Sequence, residues 1–149
     1  MEDLPYVYNS WYIEQRDQQI KENRLDPGLN RISGKIVDAA VEVHKRLGPG
    51  LLESVYESCL EYELVKRMLG VRKQVVVPIT YDALEFKEGY RIDLLVENKV
   101  VVELKGVCKP NPVHVSQVLT YLKLGGYSLG LLLYFNNKLM KHGIQRVIL

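Results

Sequence analysis

Only 2 of the 149 residues are cysteine, Cys59 and Cys108. They are too few and too far apart along the chain for a disulfide framework or a thiolate zinc site, so both read as free thiols. No stretch approaches the roughly 18 to 20 uninterrupted apolar residues that a membrane span requires. The first residues are acidic and aromatic where a signal peptide would be basic and then apolar. A cytoplasmic protein with no membrane association is expected. An excess of one charge is missing too: 20 Lys and Arg stand against 18 Asp and Glu, a net charge of +2. No broad basic surface announces nucleic acid, and such a partner has to be argued from local chemistry. What is present is ordinary: 47% hydrophobic and 26% charged residues, the proportions of one globular domain, which exclude global disorder, a collagen-like repeat and a coiled-coil rod.

Residues 1–30 carry Pro5, a polar run at 14–19 and a turn signal at Asp26-Pro27-Gly28. They read as a partly ordered extension in which Tyr6, Tyr8, Trp11 and Tyr12 are the side chains able to dock on the body or a partner. Residues 31–149 read as the domain. Ser33 is a suitable cap for a first helix over 33–47, with Ile36, Val37, Ala40, Val41, His44 and Leu47 at helical spacing. Gly48-Pro49-Gly50 breaks the chain, and Leu52, Val55, Tyr56, Leu60 and Leu64 mark a second helix that stops at Gly70. Strand-like runs follow at 72–81, 90–96 and 100–107. Asn111 then caps a helix that opens with Pro112 and ends at Gly125-Gly126. The run 129–135 has the near-continuous apolar character of a strand buried on both faces, and 146–149 suit a short edge strand. The element order is α-α-β-β-β-α-β.

Successive side chains of a strand point to opposite faces, so Glu103 and Lys105 share one face of 101–107 while Val102 and Leu104 occupy the other. A three-residue hairpin loop, Glu97-Asn98-Lys99, pairs Val96 with Val100 and places Asp93 opposite Glu103. A four-residue loop instead sets Asp93 against Leu104, with the two carboxylates on opposite faces. Carboxylates about 5 Å apart across paired strands repel unless a cation lies between them. Hard oxygen ligands with open positions suit Mg²⁺ or Mn²⁺ better than zinc. A metal so held polarises a phosphoryl oxygen and supplies a hydroxide-like nucleophile, and Lys105 beside it orients the water or offsets growing charge. That is phosphodiester hydrolysis. The plainer alternative is a surface hairpin whose Asp93, Glu103 and Lys105 form a solvated ion cluster of little consequence.

The spacing of Asp93 in IDLLV (92–96) to Glu103 and Lys105 in VVELKG (101–106) resembles the PD-(D/E)XK nuclease superfamily. AAVEVHKRLGPG (39–50) followed by GLLESVY (50–56) is similar to the GxxExxY family, a prokaryotic branch of that superfamily, with Gly50, Glu53 and Tyr56 at the namesake positions. The likeness continues through Gln117 and Tyr121 of HVSQVLTYL (114–122) to Phe135-Asn136, and covers 33–149. It implies an α/β (α+β), restriction-endonuclease-like core, a central mixed β-sheet flanked by helices. It also implies a nuclease with Asp93, Glu103 and Glu53 as ligands of Mg²⁺ or Mn²⁺, Lys105 assisting the attacking water, and Gln117 lining the site. DNA is the expected substrate.

Each residue also has an ordinary reading. Glu53 is a first-turn acid favoured by the helix dipole, yet it lies three residues before Tyr56 on the apolar stripe. His44 suits a satisfied, half-buried histidine in a supporting role. Gln117 and Tyr121 share a helix face with His114, which hydrogen bonds to Glu103, Lys105 or a phosphate would explain and an amphipathic outer face would equally. Lys109, Lys123, Lys138, Lys141 and Arg146 are candidates for backbone contact or plain solvated surface. Beside the nuclease stand a non-catalytic nucleic-acid or protein interaction module that keeps the fold, and a hydrolase of small phosphoesters. A homodimer is expected because two sites about a twofold axis suit the cutting of two strands.

Overall fold

The computed structural model describes residues 19–149. The aromatic side chains expected to dock from the first residues, Tyr6 to Tyr12, lie outside them. Helical residues 19–24 lead into α1 (Pro27–Leu47) and α2 (Glu53–Lys66). Then come β1 (Val71–Tyr81), β2 (Leu84–Val96), β3 (Val100–Lys105), α3 (Pro112–Gly125), β4 (Leu129–Tyr134), a 3-10 turn (Met140–His142) and β5 (Ile144–Ile148). The strands lie side by side in chain order, antiparallel except for the β3–β4 pair. A parallel pair needs a crossover, and α3 is that crossover. The sheet is mixed and flanked by helices, as the restriction-endonuclease-like expectation has it.

Two apolar layers hold the sheet. On one face Ile36, Ala40, Tyr56, Leu60 and Leu64 of α1 and α2 pack on Leu94, Val102, Leu104, Leu131 and Leu133. On the other Val118 and Leu122 of α3 cover Ile92, Val101, Leu132 and Val147. Every residue of β4 is buried, which is why its sequence runs apolar without alternation. Among the described residues no helix is long and apolar enough to cross a membrane.

Several boundaries differ from those the sequence suggests. Helix α1 starts at Pro27, not at Ser33, because the Asp26 carboxylate accepts from Gly28 N at 2.7 Å and Pro27 occupies the first turn. Asp-Pro-Gly is a turn signal and an N-cap signature alike, and here the helix takes it. Helix α2 ends at Lys66, with Met68 in the left-handed region at φ 61° and Leu69 N bonded to Leu64 O, so Gly70 is not its stop. Val55, expected in the buried stripe, is exposed, and Glu63 is buried instead because Arg67 and Lys66 pair with it. Strand β2 begins at Leu84, well before residue 90, and its first six residues are exposed on both faces, leaving no alternation to read. Between α1 and α2, Gly48 and Gly50 adopt φ 69° and 100°, values that side chains resist, so the glycines make this tight loop feasible.

Arg146, a candidate for nucleic-acid contact, is spent inside the fold. Its guanidinium binds both Glu22 carboxylate oxygens at 3.0 Å, Asn30 Oδ1 at 2.9 Å and the buried Ser33 Oγ at 2.7 Å, pinning residues 19–30 to β5. Arg146→Ala is expected to lower stability by about 1–3 kcal/mol, as the loss of charge-assisted bonds does. A chemical melt checks this.

Candidate active site

The β2–β3 hairpin has the three-residue loop. Glu97 and Asn98 both take positive φ, 55° and 52°, Lys99 N bonds to Val96 O at 3.0 Å, and the pairs run Val96–Val100, Leu95–Val101 and Leu94–Val102. One step further the register sets Asp93 opposite Glu103, and there the ladder changes partners. Asp93 N donates to Glu103 Oε1 at 3.1 Å and Leu104 N donates to Asp93 Oδ2 at 2.9 Å. Each carboxylate therefore takes a backbone amide from the strand it faces, and the two acids are wedged between β2 and β3.

Alternation along β2 breaks at the same point. Leu94 and Val96 belong to the α1–α2 layer, whereas Leu95 and Ile92 both belong to the α3 layer. Strand β1 breaks with it: Lys73 pairs with Leu94 and Val75 with Ile92, and between them Gln74 stands at φ 52°. Its carboxamide nitrogen donates to Glu57 Oε2 at 2.8 Å and reaches Asp93 Oδ1 at 3.4 Å.

Charge is concentrated here. Glu103 is 3% exposed, and its carboxyl is pushed up to about 8, by burial first and by the Asp93 carboxylate second. In the absence of a cation the pair thus carries a proton at neutral pH. Burial and Asp93 also raise the Glu57 carboxyl above its ordinary value. The Tyr121 phenol is raised by its own burial and then by Glu103. A divalent cation fits this donor set, because it neutralises what a proton otherwise must, and the oxygens are of the hard kind that Mg²⁺ and Mn²⁺ prefer. Among the described residues no three His, Cys, Asp or Glu side chains form a ready-made metal cage. Asp93 and Glu103 supply a two-carboxylate platform, the kind of site in which water and substrate complete the shell of Mg²⁺.

Lys105 leads from the pair to α3. Its ammonium donates to Gln117 Oε1 at 2.8 Å, and Gln117 Nε2 donates to the Tyr121 hydroxyl at 2.7 Å. Tyr121 is held in turn by stacking on Tyr90, 4.2 Å between ring centroids. His114 on the same face bonds through Nδ1 to the Tyr134 hydroxyl at 3.1 Å; burial and then the Lys105 charge lower its pKa. The polar face of α3 therefore meets the site and not open water. Asp93, Glu103, Lys105, Gln117 and Tyr121 come together as the sequence suggests.

Glu53, Tyr56 and His44 bind the framework around the site. Glu53 Oε2 accepts from Gly106 N at 2.7 Å, clasping the end of β3 just beyond Lys105. The Tyr56 hydroxyl donates to Gly48 O at 2.6 Å and accepts from Leu51 N at 3.1 Å, while its ring stacks on Phe135 at 4.5 Å. His44 Nε2 bonds to Asn137 O at 2.8 Å. Asn136 joins these parts: its amide donates to Gly106 O and accepts from Gly50 N. The glycine loop, the start of α2 and the end of β3 are thus one hydrogen-bonded unit behind Lys105. Cys59 and Cys108 are free, as expected.

The sequence reading overlooks Glu57 and Gln74. Glu57 follows Glu53 by one helical turn, a spacing that puts both on one face and could have signalled it. Gln74 gives no signal, since a left-handed residue inside a β-branched run leaves no trace in composition. No curated protein and no solved structure matches the chain. The family model of the PD-(D/E)XK nuclease superfamily matches residues 30–147. That span runs from the first turn of α1 into β5 and takes in every strand and helix that builds the site, so the chain belongs to the PD-(D/E)XK nuclease superfamily.

Proposed function

We propose that the protein is a metal-dependent nuclease that hydrolyses phosphodiester bonds in DNA, with Mg²⁺ or Mn²⁺ as its cofactor, and that it belongs to the prokaryotic GxxExxY branch of the superfamily. A cytoplasmic location and a homodimer with two sites follow from that reading. The observation that carries it is the pair of carboxylates wedged between β2 and β3 with Lys105 held beside them. In this reading Asp93 and Glu103 hold the cation, which when bound polarises the phosphate and acidifies water. Backbone amides of Leu104 and Asp93 keep the two carboxylates in place, so little reorganisation is needed when the cation enters. Lys105, tethered by Gln117, presents a positive charge to the attacking water and to the phosphate as negative charge grows. Tyr121 fixes the orientation of the Gln117 amide and thereby of Lys105. Glu53 is held in the same manner, by Gly106 N on one oxygen, and in this reading its other oxygen is the third ligand, contributed by α2.

Purified protein is tested on linear, single-stranded and branched DNA, RNA and free nucleotides, with Mg²⁺ or Mn²⁺. DNA cleavage with multiple turnover, stopped by a chelator and absent in Asp93→Ala, is the expected result. Tight binding of DNA without turnover would favour the interaction module, and turnover of nucleotides alone the small-phosphoester hydrolase.

A further inference from the structure

We propose that Gln74 is a positioning residue of the site: its strained backbone and bridging amide hold Glu57 against Asp93 and set the Asp93 carboxylate for cation binding. This rests on the reading of Asp93 and Glu103 as a cation-binding pair.

Three independent features of one residue converge. Gln74 occupies φ 52° within β1, opposite Asp93, at a step that the ladder skips between Lys73–Leu94 and Val75–Ile92 without a change of register. A side chain resists that conformation, and strain of this kind persists where the surroundings impose it, most often at functional sites. The kink also carries the side chain across to α2, where its amide nitrogen meets Glu57 Oε2 at 2.8 Å and Asp93 Oδ1 at 3.4 Å. The second oxygen of Asp93 already accepts from Leu104 N at 2.9 Å. Leu104 N on one oxygen and the Gln74 amide 3.4 Å from the other favour one orientation of the carboxylate plane, while each oxygen keeps a lone pair for a cation. A neutral donor suits this place between two acids, because it draws Glu57 and Asp93 together without substituting for the cation's charge. A lysine there would compete with the metal, and an apolar residue would let the acids repel each other.

Outer partners that orient a ligand typically account for about 10- to 100-fold in metal affinity. Gln74→Gly removes the bridging amide without adding strain, because glycine accepts φ 52° freely. The measurement is the heat of Mn²⁺ binding to wild type, Gln74→Gly and Glu57→Gln, with thermal melts of each. We expect the Gln74→Gly protein to melt within a few degrees of wild type and to bind Mn²⁺ at least tenfold more weakly. Gln74→Gly combined with Glu57→Gln is then expected to lose less than the product of the single losses, since both changes weaken one bridge, the first by removing its donor and the second by removing the charge of its acceptor. Equal Mn²⁺ affinity in wild type and Gln74→Gly overturns the proposal alone. Wild type that takes up no Mn²⁺ overturns the reading of the site, and the proposal falls with it. Wild type that binds Mn²⁺ but leaves DNA uncut, with Gln74→Gly still weakened, removes the nuclease reading and upholds the role of Gln74.

Discussion

Glu103→Gln is expected to melt higher than wild type at pH 8 and to lose its affinity for Mg²⁺. The Glu103 carboxyl lies between strands at 3% exposure, and burial followed by the Asp93 charge moves its pKa from 4.5 to about 8. A carboxyl that titrates higher in the folded than in the unfolded chain holds its proton longer when folded. Below about 4.5 both states are protonated and the site costs nothing. As pH rises from there towards 8, only the unfolded chain releases the proton, so stability falls across this window and levels off above it. A displacement of this size corresponds to a ceiling of about 5 kcal/mol. Glutamine removes the titration while Oε1 still accepts from Asp93 N and the new amide faces the Asp93 carboxylate. Each kcal/mol recovered raises the melting temperature of a chain this long by roughly 2–4 °C. The variant should therefore overtake wild type progressively between pH 5 and 8, and Mg²⁺ should raise the melting temperature of wild type alone. Parallel dependence of the two melting temperatures on pH would show that burial and Asp93 do not raise the Glu103 carboxyl.

How much of the fold and site is legible in the sequence depends on whether a feature is local. The wedge at Asp93 and Glu103 is legible because it follows from loop length: Glu97-Asn98-Lys99 sets the register that brings Asp93 to Glu103. The polar face of α3 is legible for the same reason, since three and four residue spacing brings His114, Gln117 and Tyr121 together. The kink at Gln74 is not, because it is imposed by tertiary packing: β2 turns over at Asp93 to serve two different layers, and β1 has to follow it. Without that kink in view, Glu57 looks like any solvent-facing helix acid. Strand β2 before Gly89 escapes the sequence for the opposite reason, as no face of it is marked out by burial. Asp26-Pro27-Gly28 is ambiguous on chemical grounds, and only the docking of residues 19–24 through Arg146 shows which way the chain goes.

Lys105→Met should separate binding from chemistry. Its ammonium lies close enough to Glu103 to favour the ionised carboxylate, so it competes in charge with whatever cation the pair holds. Removing it leaves Asp93, Glu103 and their two backbone amides in place, and Mg²⁺ affinity should stay level or rise slightly. Cleavage should fall by about 10²- to 10³-fold, the usual loss when one preorganised donor to a developing negative charge is taken away. Gln117→Leu tests the tether: Lys105 keeps its charge but loses the acceptor at 2.8 Å that fixes its direction, so a smaller fall of roughly tenfold follows. The double variant should be no slower than Lys105→Met, because Gln117 acts through Lys105 and has nothing left to orient. Single-turnover cleavage rates paired with calorimetric Mg²⁺ titrations decide the matter. If Lys105→Met loses metal affinity and cleavage in equal measure, Lys105 supports the carboxylates and the water must be oriented by another group. If cleavage alone falls, the division of labour between the acids of β2 and β3 and the ammonium held by α3 stands.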